Sequence, residues 1–179
     1  MELKGSKTEA NLIAAFSGES EARNKYTFYS SAAKEEGYEQ ISAIFTETAN
    51  NEKEHAELWF KYLNNNKMPD TFTNLVSAAA GEHYEWSTMY KEFAEIAKEE
   101  GFDEIANVMT LVAEIEKTHE NRYKQLSINL QEQKVFTRDG DVIWQCRNCG
   151  HLHKGKTAPQ VCPACKHPQA YFQLHESNY

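Results

Sequence analysis

Two stretches of this chain nearly repeat one another: AKEEGYEQI at 33–41 and AKEEGFDEI at 97–105, offset by 64 residues. A fixed offset on that scale marks two copies of one structural unit. Apolar periodicity says which unit it is. Alternating steps of four and three from Ile41 give Ile41, Phe45, Thr48, Glu52, His55, Trp59 and Tyr62; from Ile105 they give Ile105, Met109, Val112, Glu116, His119, Tyr123 and Leu126. Both are helical stripes expected to face a core, so each copy is predicted to be a helical hairpin.

The helix boundaries follow from local signals. Ser6 with Glu9 reads as a capping box, and the first helix is predicted over 8–36, ended by Gly37. The second runs to about residue 64. NNNKMPDTFTN, with Pro69, is a connection. A third helix over 74–99 carries Ala78, Glu82, Glu85, Met89, Phe93 and Ile96 on one face and ends at Gly101; a fourth covers 103–132. The pairs Gly18-Glu19 and Gly81-Glu82 correspond at an offset of 63 rather than 64, so one copy holds a single-residue slip that a π-bulge absorbs.

The repeat places Glu52 with Glu116, and His55 with His119, where the stripe calls for apolar side chains. Glu19 and Glu82 fall on the stripes of the other two helices. Carboxylates are costly to bury unpaired, so several in one layer demand cations. One Glu from each of two helices plus Glu-x-x-His from each of the other two is the ligand set of di-iron and di-manganese carboxylate bundles. Oxygen and imidazole donors suit iron or manganese, whereas a zinc site uses fewer ligands in a tetrahedral array. The alternative is a polar bundle core of hydrogen-bonded Glu and His. Glu85, on the same face as Glu82, is either an exposed helix glutamate or a fifth carboxylate; as the latter it favours more highly charged, oxidised ions.

All four cysteines lie in CRNCGHLHKGKTAPQVCPAC, as Cys146-x2-Cys149 and Cys162-x2-Cys165. Two such knuckles read as a tetrahedral four-thiolate metal site, with disulfides the weaker alternative in a cytoplasmic chain. The spacing does not separate structural zinc from redox-active iron. A segment this short has little core, so the metal is expected to supply folding free energy.

The formal charge of −8 argues against nucleic acid as a partner. The acidity is uneven. From residue 141 onward, Asp141 and Glu176 stand against Arg147, Lys154, Lys156 and Lys166, a balance of about +2. That shift supports a boundary near 138, giving a bundle over 1–137 and a metal-binding tail over 138–179. No apolar run approaches the ~20 residues of a membrane span, and MELKGSKTEANLIAAF lacks the regions of a signal peptide. A soluble cytoplasmic protein with no membrane partner is the expectation.

Together, Gly18-Glu19, Gly81-Glu82-x-x-Glu85, the two Glu-x-x-His pairs and the Cys-x2-Cys-Gly and Cys-Pro-x-Cys knuckles resemble the rubrerythrin family over nearly the whole chain. The resemblance implies a mainly α protein: a ferritin-like four-helix bundle followed by a small rubredoxin-like domain. It implies a peroxidase that reduces hydrogen peroxide to water in oxidative-stress defence. Glu19, Glu52, Glu82, Glu85, Glu116, His55 and His119 would hold two non-haem irons, with Glu52 and Glu116 bridging. Glu85 and His55 match the residues exchanged at one iron on reduction, and Tyr26 and Tyr90 match tyrosines hydrogen-bonded near the site, although either is also ordinary aromatic packing. Cys146, Cys149, Cys162 and Cys165 would hold the electron-transfer iron, for which zinc is a substitute. Electrons would come from an external donor, an NAD(P)H-dependent reductase or a rubredoxin.

One departure is His151, where the family commonly has an aromatic residue. It leaves ligation intact but alters the surroundings of the iron. Two other functions fit the same motifs: a ferroxidase or iron-handling protein, and a non-enzymatic stress protein with a structural zinc module.

The connection over 65–73 bears on assembly. It reaches only ~30 Å fully extended, against about 40 Å for a helix of some 27 residues. Either the helices run up-down-up-down, or the connection extends into a neighbouring chain. The ferritin-like order implied by the resemblance selects the second, a homodimer with exchanged helix pairs.

Overall fold

The computed structural model of the chain describes residues 2–176. The chain divides after Asp70 into two compact units, and each contains one copy of the repeat.

The first unit is a hairpin of α1 (Lys7–Glu35) and α2 (Glu39–Leu63). The Ser6 hydroxyl accepts the Glu9 N–H at 3.1 Å, and the Glu9 carboxylate reaches back to the Gly5 N–H at 2.6 Å. The predicted capping box thus forms with its return bond one residue upstream of Ser6. Gly37 ends α1 with φ at 86°, a left-handed conformation that side chains with a Cβ resist. The turn is closed by Tyr38 N–H to Ala33 O at 2.8 Å. Small residues let the helices approach: Ala33, Ala49 and Ala56 are buried. Ser30 Oγ, buried between them, lies 3.0 Å from Ser42 Oγ and 2.8 Å from Thr46 Oγ1.

The second unit opens with α3 (Thr71–Tyr84), a π-helical turn (Glu85–Met89), α4 (Tyr90–Glu99) and α5 (Asp103–Gln131). The π turn is closed by the Tyr90 N–H on the Glu85 carbonyl, five residues back. It sits between the part of the repeat offset by 63 and the part offset by 64, so the extra residue read from the sequence takes this form. α3 starts three residues before its predicted start, directly after Asp70, a residue type favoured at N-caps. Gly101, also with φ at 86°, repeats the turn of Gly37.

The stripes are half-buried over most of their centres and exposed at His55 and toward their ends: Ile41 is 47% exposed and Ile105 49%. The expectation of a buried stripe is therefore met only in part. Two helices side by side shield one flank of each other, and full burial requires a second layer.

The tail of this unit is an antiparallel sheet of β1 (Thr137–Cys146), β2 (Leu152–Thr157) and β3 (Phe172–Leu174), in the order β2-β1-β3. Its core is Trp144, Cys146, Ala158, Cys162 and Phe172. Trp144 Nε1 donates to Gly155 O at 3.0 Å, which satisfies the one polar atom of the largest core side chain. Two of the five core residues are cysteines, so little apolar surface is left to hold the sheet without a metal. Among the described residues no helix is long and apolar enough to cross a membrane.

Replacing Gly37 or Gly101 with Ala is expected to cost about 1–2 kcal/mol each. Urea midpoints followed by circular dichroism check this, and unchanged midpoints would remove the left-handed turns as determinants of the hairpins.

Candidate metal centres

The tail knuckles are near copies of one another. Cys146 N–H bonds His151 O at 2.9 Å and Gly150 N–H bonds Cys146 O at 2.8 Å; Cys162 N–H bonds His167 O at 2.8 Å and Lys166 N–H bonds Cys162 O at 3.0 Å. Each turn uses a left-handed residue just after its second cysteine, Gly150 with φ at 77° and Lys166 with φ at 63°. That backbone brings the amides of His151 and His167 onto the sulfurs of Cys149 and Cys165.

The four sulfurs lie within 4.8 Å of one another, with Cys146–Cys165 and Cys149–Cys162 both at 3.7 Å. The edge of a tetrahedron built on ~2.3 Å metal–sulfur bonds is close to this, whereas a disulfide requires ~2.05 Å. The set therefore fits one tetrahedral ion. The His167 amide, ahead of the neighbouring thiols, holds Cys165 down to about 5. The His151 amide acts in the same sense on Cys149, but the neighbouring sulfurs and burial outweigh it and push Cys149 up to about 12. Metal binding must displace the protons that remain.

In the first unit Glu19 of α1 and Glu52 and His55 of α2 bring ligand atoms within 4.8 Å of one another. His55 Nδ1 is 2.8 Å from Glu52 Oε2 and 3.6 Å from Glu19 Oε2. In the second, Glu82 of α3 and Glu116 and His119 of α5 form the corresponding set. His119 Nδ1 is 2.6 Å from Glu116 Oε2 and 3.8 Å from Glu82 Oε1. Ligands on one ion with ~2.1 Å bonds lie up to about 4.2 Å apart, so small rotamer adjustments close either triad. In both, Nδ1 is the imidazole nitrogen facing the carboxylates.

The electrostatics fit groups gathered for a cation. The hydrogen bond to Glu52, aided by the charge of Glu19, raises His55 above its ordinary value. Burial, then Glu116 and Glu85, raise the Glu82 carboxyl despite the opposing effect of His119. Glu85 lies outside the compact triad but is close enough to act on Glu82 and, after burial, on the Tyr90 hydroxyl, which is also raised. Tyr26 stands among the rings of Tyr29 and Phe45, each with its centroid 6.1 Å away.

Comparison with known proteins covers both regions of the chain. The family model described as Rubrerythrin matches residues 10–127, and that described as Rubrerythrin, rubredoxin-like domain, matches 144–173. The chain belongs to the rubrerythrin family. Rubrerythrin-1 of Clostridium acetobutylicum is 50% identical, over 99% of this chain and 98% of that one. The rubrerythrins of Porphyromonas gingivalis and Nitratidesulfovibrio vulgaris are 49% and 46% identical, over 99% of this chain and 94% and 98% of theirs. The fold is the mainly α, ferritin-like rubrerythrin domain with a small C-terminal strand domain. The four cysteines form the rubredoxin-like site, and the two Glu/Glu/His triads are the di-iron candidates of this rubrerythrin-family chain.

A cluster that motif reading misses lies beside the second triad. Glu120 of α5, 3% exposed, accepts the Trp86 indole N–H and faces His83. It follows His119 off the stripe, and its counterpart in the first hairpin is Ala56. That difference between copies is the signal by which it was detectable.

In the metal-free chain, the His55 ring resonances are expected to titrate above the ordinary imidazole midpoint of ~6.5, and Glu52→Gln to bring the midpoint down. Since a raised imidazole must shed its proton to ligate, Fe(II) binding should weaken as pH falls through that midpoint. A His55 midpoint insensitive to Glu52→Gln would break this account.

Proposed function

We propose that this protein is a non-haem di-iron peroxidase that reduces hydrogen peroxide to water. The observation that carries this reading is the coexistence, on one chain, of a tetrahedral four-sulfur set and two Glu/Glu/His triads. Oxidation of Fe(II) by oxygen draws its electrons from the Fe(II) itself, whereas a peroxide reductase must be resupplied with electrons at every turnover. When bound, iron at these sites supplies the two electrons that split the O–O bond and the one-electron relay that restores them.

The parts assigned to the chain's own residues follow from their chemistry. Glu19, Glu52, Glu82, Glu116, Glu85, His55 and His119 would hold the two ions, with Glu52 and Glu116 the carboxylates shared by both. Glu85 offers a carboxylate to the oxidised state and His55 a neutral imidazole to the reduced one. The Tyr90 hydroxyl, raised by burial and by Glu85, stays protonated and serves as a hydrogen-bond donor at the site, a role extended to Tyr26. Each turnover takes up one peroxide, two electrons and two protons and releases two waters. Cys146, Cys149, Cys162 and Cys165 hold the relay iron, fed by an NAD(P)H-dependent reductase or a rubredoxin. The bundle is assigned to 1–137 and the relay to 138–179, in a cytoplasmic protein.

We further propose a homodimer with exchanged hairpins. The connection from Leu63 to Thr71 spans at most about 29 Å, whereas α2 is about 37 Å long. A ferritin-like order requires a crossover along the bundle, which this connection is too short to make. Exchange between two chains removes the need for it and gives each half-exposed stripe a second layer.

The test of the activity is anaerobic turnover with peroxide and a supplied reductant, compared with oxygen consumption on adding Fe(II). Glu52→Ala is expected to abolish peroxide turnover while the four-sulfur centre keeps its visible spectrum. Cys162→Ser should allow one reaction of the reduced protein with peroxide but lose steady-state turnover. Fe(II)-dependent oxygen consumption without peroxide turnover would instead make the protein a ferroxidase.

Mixed dimers of a Glu52→Ala chain with a Glu116→Ala chain test the assembly. With exchange, one site loses both bridges and the other keeps both, so about half the activity returns. No recovery in verified heterodimers would place each site within one chain.

A further inference from the structure

The second hairpin carries a buried polar cluster that the first lacks. Glu120 accepts the Trp86 indole N–H at 2.5 Å, faces His83 Nδ1 at 3.1 Å and pairs with Lys124. Lys117 Nζ stands 5.1 Å over the Trp86 ring, and the His83 ring meets it edge-on at 5.3 Å. The corresponding residues of the first hairpin are Ala56 for Glu120, Arg23 for Trp86 and Ser20 for His83. There α1 runs unbroken from Lys7 to Glu35. The cluster and the π turn occur together, in the same copy.

Trp86 is the second residue of that turn, immediately after Glu85. In the first hairpin Glu19 and Tyr26 are seven residues apart, close to two α-helical turns, so they share a face. Glu82 and Tyr90 are eight apart, and on an unbroken α-helix Tyr90 would be swung away by about 100°. The π turn takes up the extra residue. A π turn is rare in a helix that has no local reason for it, so something must hold it.

We propose that the Trp86–Glu120 hydrogen bond is the clamp that holds the π turn, and that through it Trp86 and Glu120 are positioning residues for Glu85 and Tyr90. The bond ties the start of the turn to α5, one residue beyond His119. Its acceptor is a carboxylate in a buried place, where a charge-assisted hydrogen bond is strong. Lys124 supplies the countercharge that Glu120 needs there. Relaxation of the turn to an α-helix would rotate the indole away and leave Glu120 buried without that donor, which is unfavourable. The proposal rests on the reading of Glu85 as a carboxylate that serves the metals.

The test uses the full chain with its four-cysteine site preloaded. It reads Fe(II) affinity at the remaining sites by anaerobic calorimetry, and amide hydrogen exchange over 85–90 without added Fe(II). Trp86→Phe keeps a ring but removes the donor, and is expected to weaken Fe(II) binding about ten-fold and to speed exchange at the Tyr90 amide. Glu120→Leu should do the same, so the proposal stays testable if either variant folds poorly. Glu120→Gln keeps an acceptor oxygen and should retain affinity within about two-fold. On a Glu85→Ala background, Trp86→Phe should cause no further loss of affinity. Unaltered affinity and exchange in Trp86→Phe, or losses that add to those of Glu85→Ala, would overturn the clamp. Undiminished affinity in Glu85→Ala alone would overturn the reading of Glu85 instead, and exchange at the Tyr90 amide would still decide whether Trp86 holds the turn.

Discussion

A helical core does not accept several carboxylates in one layer unless cations join them, and the helical part of this chain is organised around that constraint. Glu19, Glu52, Glu82 and Glu116 occupy stripe positions that would otherwise be apolar. Each hairpin answers with its own histidine, whose Nδ1 lies against the carboxylate three residues before it. That pairing is local, made within a single helical turn, and leaves the carboxylates on the other helix of each hairpin only loosely engaged. The metal requirement and the half-covered stripes therefore express the same incompleteness: a hairpin alone satisfies neither its charge nor its apolar surface.

The tail solves a different problem with a similar device. Its sheet is too small to be held by Trp144 and Phe172 alone, and Cys146 and Cys162 take up part of the core. The paired left-handed turns at Gly150 and Lys166 direct amides onto sulfur. That favours the thiolate at Cys165, while at Cys149 the neighbouring sulfurs and burial outweigh it. Lys166 adopts a left-handed backbone in its turn, with φ at 63°, a conformation that costs a side chain with a Cβ some strain.

Much of this was legible from residue order because metal ligands and repeats leave fixed spacings. The offset of 63 against 64 showed that one copy holds an extra residue to absorb, and the structure places it in the π turn at Glu85–Met89. Other features left fainter traces or none. Glu120 lies off the stripe and next to a ligand; its replacement by Ala56 in the other copy sets it apart, but only its tertiary neighbours Trp86 and His83 show what it does. Exposure at Ile41 and Ile105 depends on what covers a helix, which periodicity does not report. α3 starts directly after Asp70, a residue type favoured at N-caps that sits inside a stretch dominated by turn signals.

The four-sulfur set also has an inside and an outside. Cys146 and Cys162 have no exposed surface, whereas Cys149 is exposed. Any partner exchanging electrons with an ion held there would meet the centre at Cys149, because Cys146 and Cys162 are covered. In a chain that has lost its metal, exposure and acidity fall on different sulfurs. Cys149 is the exposed thiol but is pushed up to about 12, whereas the partly exposed Cys165 is held down to about 5; Cys165 is therefore the sulfur that a thiol-reactive oxidant attacks, and a modification there would keep the metal from returning.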